Sequence, residues 1–327
     1  MAADKLDSTV ATPSHSRLSK FHECRRAYWY RYVQGLRSPG QATKPLTGKA
    51  GHAGLDVLHR LGWQALPLAQ SAARLAYGEH IPEESLKWLT ADHICGILAN
   101  YAEHWAEDDS DFKIYKLPAS IVRQGNPYVK HIQLDGLVDA NDNVQMNENP
   151  MVIQLSDELA MTVVIDMLIT RADGSIWIAD HKWTAQYLGK GVLNKYVVSH
   201  QMPLYILAAR RLIGRCDGAI LNAVWMGQAA NNPQSGAQKF DRYVFDYTEG
   251  QLAESLEWAT QTAKLAAAEE SAFKASSLGL YWLQNPASYC SGCDYLKLCE
   301  VAPAMRPGRV AKWFTHADKV EDAKDEV

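Results

Sequence analysis

Asp180 and Lys182 stand two positions apart at the end of an apolar run, GSIWIADHKWTA (residues 174–185). Ser175 to Ala179 reads as a short buried strand with Ile176, Trp177 and Ile178 as its apolar body. Charged side chains are seldom buried there unless they are paired or bind a metal. In a strand, residues i and i+2 share a face, so the carboxylate and the ammonium project together. Upstream, MTVVIDMLIT (residues 161–170) reads as a second strand with Asp166 in its middle, and the turn RADGS predicts a hairpin that sets Asp166 beside Asp180. Two neighbouring carboxylates repel unless a cation lies between them. Mg²⁺ or Mn²⁺ suits such a hard-oxygen site. Lys182 could then orient or activate a water, or stabilise charge growing on a phosphate. For the Asp-x-Lys tripeptide alone, a hairpin with a surface salt bridge is the competing reading.

Three further groups could carry chemistry. HQMPLY (residues 200–205) opens a helix and puts Gln201 and Tyr205 at i and i+4, on one face. TGKAGHAGLDVLHR (residues 47–60) holds Gly48 and His52 at a Gly-x-x-x-His spacing, with His59 as a rival on the same face. CSGCDYLKLC supplies Cys290, Cys293 and Cys299, and three close thiols need a fourth ligand to close a tetrahedral or cluster site. Cys95 and Cys216 fit no such pattern and read as small buried hydrophobes.

The elements that must position these groups alternate in texture. Residues 1–15 read as a disordered N-terminus. Ser16 reads as the N-cap of a helix through RLSKFHECRRAYWYRYVQGL, ended by Gly35. A second helix is expected from about Gly48, followed by a helical insertion over about 67–117. From Ala119 to Trp183 short strands take over: SIVRQG, KHIQLDGLVD, PMVIQL, MTVVIDMLIT and SIWIAD. A helix over about 199–213, strands in GAILNAVWMG and DRYVFDY, and a long helix over about 249–276 complete the pattern, with 302–327 as a loose tail.

Composition narrows the class. The 327 residues are 47% hydrophobic and 21% charged, with a formal net charge of −4, so no global basic field exists and any nucleic-acid contact must come from a local patch. No apolar stretch reaches membrane-spanning length, and the first residues lack the apolar core of a secretion signal. Six cysteines without such a signal point to a reducing cytoplasm, where clustered thiols more often bind metal than pair.

Asp166, followed by Asp180-His181-Lys182, resembles the D…(D/E)xK signature of the PD-(D/E)XK nuclease superfamily. Gln201-x-x-x-Tyr205 behind the strand, and Gly48-x-x-x-His52 ahead of it, resemble its RecB-like branch, in family order. The segment SRLSKFHECRRAYWYRYVQGL with Cys24 is similar to the N-terminal segment of that branch's iron–sulfur members: the AddB subunit, the CRISPR-adaptation nucleases and the exonuclease V type. This resemblance implies an α/β fold, a mixed β-sheet flanked by helices, as one nuclease domain over 16–301 with the helical insertion. It implies a metal site of His52, Asp166, Asp180 and the His181 carbonyl, with Lys182, Gln201 and Tyr205 assisting catalysis. It also implies a [4Fe–4S] cluster on Cys24, Cys290, Cys293 and Cys299, formed by 16–36 and 286–301; Zn²⁺ on the same thiolates is the alternative. The implied function is a Mg²⁺- or Mn²⁺-dependent deoxyribonuclease, an exonuclease preferring single-stranded DNA ends in recombination, repair or phage DNA processing. The cell would be bacterial, archaeal or phage-infected. A non-catalytic DNA-binding partner in a recombination or CRISPR-adaptation complex is the alternative.

The sequence departs from the family pattern in two places. Val163 holds the slot of a usual glycine before Asp166, and Gly136/Asp139 fit that Gly-x-x-Asp spacing better, which makes Asp139 the fallback acid. Trp183 follows the lysine where a small or hydroxyl residue is usual. In CRRAYWYRYVQGL, Arg25, Arg26 and Arg31 interleave with Tyr28 and other aromatics, which fits a single-strand DNA platform or an amphipathic helix packed on the core.

Overall fold

The computed structural model describes residues 12–38, 43–106, 112–123, 126–132, 143–144, 150–235, 239–275 and 284–316. Asp139 lies outside them. The first helix begins earlier than expected, because Ser14 and not Ser16 is the N-cap: its hydroxyl accepts from Arg17 N at 3.1 Å. Residues 12–15 are also tied down, with Thr162 N donating to Pro13 O at 3.0 Å. Helix α1 (His15–Glu23) stops at Cys24, whose extended backbone (φ −159°, ψ 111°) breaks the single helix read from the sequence. Helix α2 (Arg25–Tyr28) follows and continues into a π-turn over Trp29–Val33.

Strand β1 (Leu36–Arg37) leads to α3 (Thr43–Leu61), which starts five residues before the expected Gly48. Pro45 is tolerated because the N–H groups of a first helical turn have no intrahelical acceptor. His52 therefore sits in mid-helix rather than at a helix start. Helices α4 (Leu66–Tyr77) and α5 (Ala91–Trp105) pack with α3 around Leu55, Leu58, Ile97 and Leu98, on a core that takes in Val224 and Phe240 from the sheet and Met226 just beyond it.

Short strands β2 (Lys113–Ile114) and β3 (Leu117–Pro118) come next. SIVRQG, read as a strand, instead makes a helical turn, α6 (Ser120–Arg123). Strands β4 (Val129–Ile132), β5 (Asn143–Val144), β6 (Met151–Ser156) and β7 (Leu159–Val163) follow, with β4, β6 and β7 forming one antiparallel sheet. MTVVIDMLIT is not one strand. It leaves this sheet at Val163 and resumes as β8 (Met167–Thr170) in the next, with Asp166 in the break.

The central five-stranded sheet has the order β11-β10-β9-β8-β2, with β9 (Ile176–Thr184), β10 (Gly218–Trp225) and β11 (Phe240–Phe245). The expected hairpin joins β8 to β9, Met167 opposite Ala179, through a turn in which Gly174 adopts φ +77°. Strands β9 and β10 are parallel, so the chain crosses between them through α7 (Lys190–Val197) and α8 (Gln201–Ile213). Ile178, Ala219 and Leu221 face the core shared with Met202, Tyr205 and Ala209 of α8, and Leu252 and Ala259 of α9 (Glu249–Ala275) join it.

Helices α10 (Leu296–Cys299) and α11 (Arg306–Trp313) and strand β12 (Thr315–His316) end the described chain. The expected loose tail is ordered up to His316: β12 pairs with β1, and Phe314 packs beside Leu36 and Tyr295.

Candidate active site

Strand alternation divides β9 between two environments. Asp180 and Lys182 share a face with Ile178, toward α8, whereas His181 and Trp183 point to the side of α3 and α5. Asp180 is 3% exposed, and Lys182 Nζ stands 3.0 Å from its Oδ1 and 2.8 Å from its Oδ2. Gln201 Nε2 lies 3.5 Å from Asp180 Oδ1 and 3.3 Å from Tyr205 Oη, so the i, i+4 pair of α8 reaches the same carboxylate. Burial alone would lower the Lys182 pKa, but the carboxylates of Asp180 and Asp166 raise it overall and keep the ammonium charged.

Asp166 reaches this site from the break between the two sheets. The backbone N–H of His181 donates to its Oδ2 at 2.6 Å, and His52 Nδ1 faces the same oxygen at 3.6 Å, beyond hydrogen-bond range. Burial raises the Asp166 pKa to about 6; the Asp180 charge adds to this, while His52 and Lys182 oppose it. A cavity of about 380 Å³ opens over these groups, lined by His52, Asp166, Asp180, Lys182, Gln201 and Tyr205 among others.

The donor set suits a hard divalent cation: two carboxylates and an imidazole converge, and Asp180 Oδ2 receives no aligned hydrogen bond although Lys182 is close. Among the described residues, no three His, Cys, Asp or Glu side chains are already gathered as a metal cluster. Asp180 is turned instead to Lys182.

The His181 side chain is engaged with α3 and β10. It stacks on His59, with centroids 5.4 Å apart and planes at 12°. Asn222 Nδ2 donates to His181 Nδ1 at 2.6 Å, and Asn222 Oδ1 accepts from Tyr101 Oη at 3.1 Å. With its proton so used, Tyr101 accepts from His59 Nε2, 3.1 Å away. Burial holds His59 down to about 3 and His181 well below the usual range, so both rings are neutral. His59, the rival histidine, thus belongs to a polar chain behind the strand. Trp183 lies flat against α3 at Gly51, where a Cβ would overlap its indole, and this packing explains the bulky residue after the lysine.

The arginine–tyrosine segment is placed differently from the single-strand platform. Tyr28 is 1% exposed, packs on Phe21 at 5.1 Å and donates to Glu270, which leaves no open ring face for a base. Arg25 pairs with Glu269 at 3.4 Å, Arg26 donates to Gln284 at 2.7 Å, and Arg31 lies over Tyr32. Cys24, Cys293 and Cys299 share one apolar cluster with Tyr295 and Leu298, while Ala287 N points to Cys290 Sγ at 3.5 Å. Tyr295 donates to Leu36 O at 2.9 Å, so the cysteine-bearing segments meet.

Two lysines that sequence reasoning missed, Lys44 and Lys49, also line the cavity. Lys44, Gly48 and His52 follow at i, i+4 and i+8 along α3, with Lys49 beside them. A helix start placed at Thr43 would have revealed that row. Tyr196, whose pKa is raised by burial and by Asp180, stands near Lys182 from α7; no local pattern marks it.

The family model of the PD-(D/E)XK nuclease superfamily matches residues 12–300. The chain belongs to this superfamily. The match spans the site, from His52 through Asp166, Asp180 and Lys182 to Tyr205. No curated protein matches the chain significantly. As a PD-(D/E)XK protein it is a metal-dependent nuclease; the superfamily generally uses Mg²⁺ or Mn²⁺, and DNA is the substrate implied. Among the described residues, no helix is long and apolar enough to cross a membrane.

Proposed function

We propose that this PD-(D/E)XK nuclease is a RecB-like exonuclease hydrolysing phosphodiester bonds from single-stranded DNA ends. The observation that carries the reading is the convergence of His52, Asp166, Asp180 and Lys182 on one cavity. His52, Asp166, Asp180 and the His181 carbonyl would hold Mg²⁺ or Mn²⁺. A cation there supplies Lewis acidity and a water of lowered pKa. Lys182, kept cationic, offsets charge on the phosphate oxygens. Gln201, braced by Tyr205, orients Asp180.

Digestion of matched linear and circular single-stranded DNA with added Mn²⁺ tests this reading. Loss of the linear form alone is expected, whereas equal nicking of circles would assign endonuclease activity instead.

The four cysteines would hold a [4Fe–4S] cluster that ties the two ends of the domain together. The shared apolar cluster of Cys24, Cys293 and Cys299 supports it. Anaerobic purification followed by metal analysis should find about four irons per chain. One stoichiometric zinc would replace the cluster by a zinc site and leave the nuclease reading intact.

A further inference from the structure

Beyond the cavity, one residue pair further along the sheet, the polar site gives way to aromatic rings. Trp225 of β10 pairs with Thr184 of β9. Trp225 is half-buried against the α3–α5 core, at the same end of the sheet as Lys182 and Thr184. Its position is fixed: Nε1 donates to Ala185 O at 3.3 Å, and Gly227 leaves room for the indole, where a Cβ would overlap it. Tyr187 meets Trp225 edge to face at 5.4 Å and 74°, and is 56% exposed. Ala185, whose carbonyl takes the Trp225 indole N–H, is itself a wall of the cavity.

The same cavity is bordered on the α3 side by Lys44 and Lys49, both exposed. Neither has a carboxylate partner among the described residues, in contrast to Lys182, which is paired with Asp180. A chain of alternating aromatic rings and phosphates would find stacking beyond Ala185 and cationic neutralisation at the cavity wall.

We infer that Tyr187 and Trp225, with Lys44 and Lys49, form a stacking and phosphate-binding subsite for single-stranded DNA beside the catalytic cavity. This rests on the nuclease reading for the identity of the ligand. A base held in a duplex cannot place its face on Tyr187, so the subsite favours unpaired over paired strands. Stacking is tolerant of base identity, so no sequence preference arises from it.

The test is fluorescence anisotropy in EDTA with a labelled oligothymidylate and a duplex of equal length, using the full chain. Tyr187→Ala should weaken oligothymidylate binding about 5- to 100-fold, with Tyr187→Phe restoring it and duplex binding unchanged. Lys44→Ala and Lys49→Ala should each reduce the salt dependence of single-strand binding by about 0.7 in log–log slope. Oligothymidylate affinity unaltered in Tyr187→Ala, or equal losses on single strand and duplex, would overturn the inference. Cleavage by the wild-type chain is measured alongside. Normal cleavage with an indifferent Tyr187 sinks only the subsite. Tyr187-dependent binding without any metal-dependent cleavage sinks only the nuclease reading.

Discussion

The backbone N–H of His181 donates to Asp166 Oδ2 at 2.6 Å, which ties the break between the two sheets to the strand that carries Asp180 and Lys182. This bond favours an ionised Asp166, but burial wins and raises its pKa to about 6. A carboxyl whose folded pKa exceeds its unfolded value stabilises the fold below the unfolded pKa, and that contribution is lost as pH rises through about 6. At pH 8, metal-free protein therefore bears the cost of a buried carboxylate. Asp166→Asn, which still accepts from His181, should raise the unfolding free energy of EDTA-treated protein at pH 8, by at most about 3 kcal/mol, and abolish cleavage. The gain should vanish near pH 4. A variant less stable than wild type at pH 8 would contradict this.

Asp180 and Lys182 stabilise each other in a largely buried site, with side-chain exposures of 4% and 25%. Removing one partner leaves the other charge unpaired, at a cost of about 3 kcal/mol. Asp180→Asn and Lys182→Met should each lower the denaturation midpoint, while the double variant should lose less than the sum of the two. Additive losses in urea melts would show that the pair is not coupled.

These relationships mark how far the sequence could be read. The Asp-x-Lys face, the β8–β9 hairpin and the Gln201–Tyr205 helix were legible because each rests on local periodicity or a Gly turn. The break at Asp166 was not, since an apolar run reads the same whether it stays in one sheet or passes between two. Cys24 in an extended conformation was hidden inside a strong helical pattern. Tyr28 resembled a base-stacking residue until its hydroxyl was found on Glu270, 242 positions away. The His59–Tyr101–Asn222–His181 chain draws on four elements, and no spacing predicts it.

That chain is expected to brace the strand main chain at His181. Asn222→Leu removes the donor to His181 Nδ1 while conserving volume. It should reduce kcat and raise the Mn²⁺ concentration needed for half-maximal activity, with a retained circular dichroism spectrum. An unchanged metal requirement would make Asn222 purely a packing residue.

Acid should destabilise the fold early. Burial lowers His15 and His59 to about 3 and His181 well below the ordinary value. A histidine with a depressed folded pKa contributes stability above its unfolded value, near 6.5, and loses it as pH falls. Asp166 works in the opposite direction, against these three and against His22, His93 and His200, which burial also lowers. Melting midpoints in EDTA should therefore drop steadily between about pH 6.5 and pH 4. A flat profile over that range would place these rings in water.

The central claim is a metal-dependent nuclease site built on Asp166, Asp180 and Lys182. Its most direct measurement is the cleavage rate of end-labelled single-stranded DNA as Mn²⁺ is titrated into EDTA-stripped wild-type protein and Lys182→Met. Wild-type cleavage should be absent in EDTA and saturate with Mn²⁺, while Lys182→Met, at matched folded fraction, should be slower by at least about 100-fold. Metal-independent cleavage, or a Lys182→Met rate equal to wild type, would contradict the assignment.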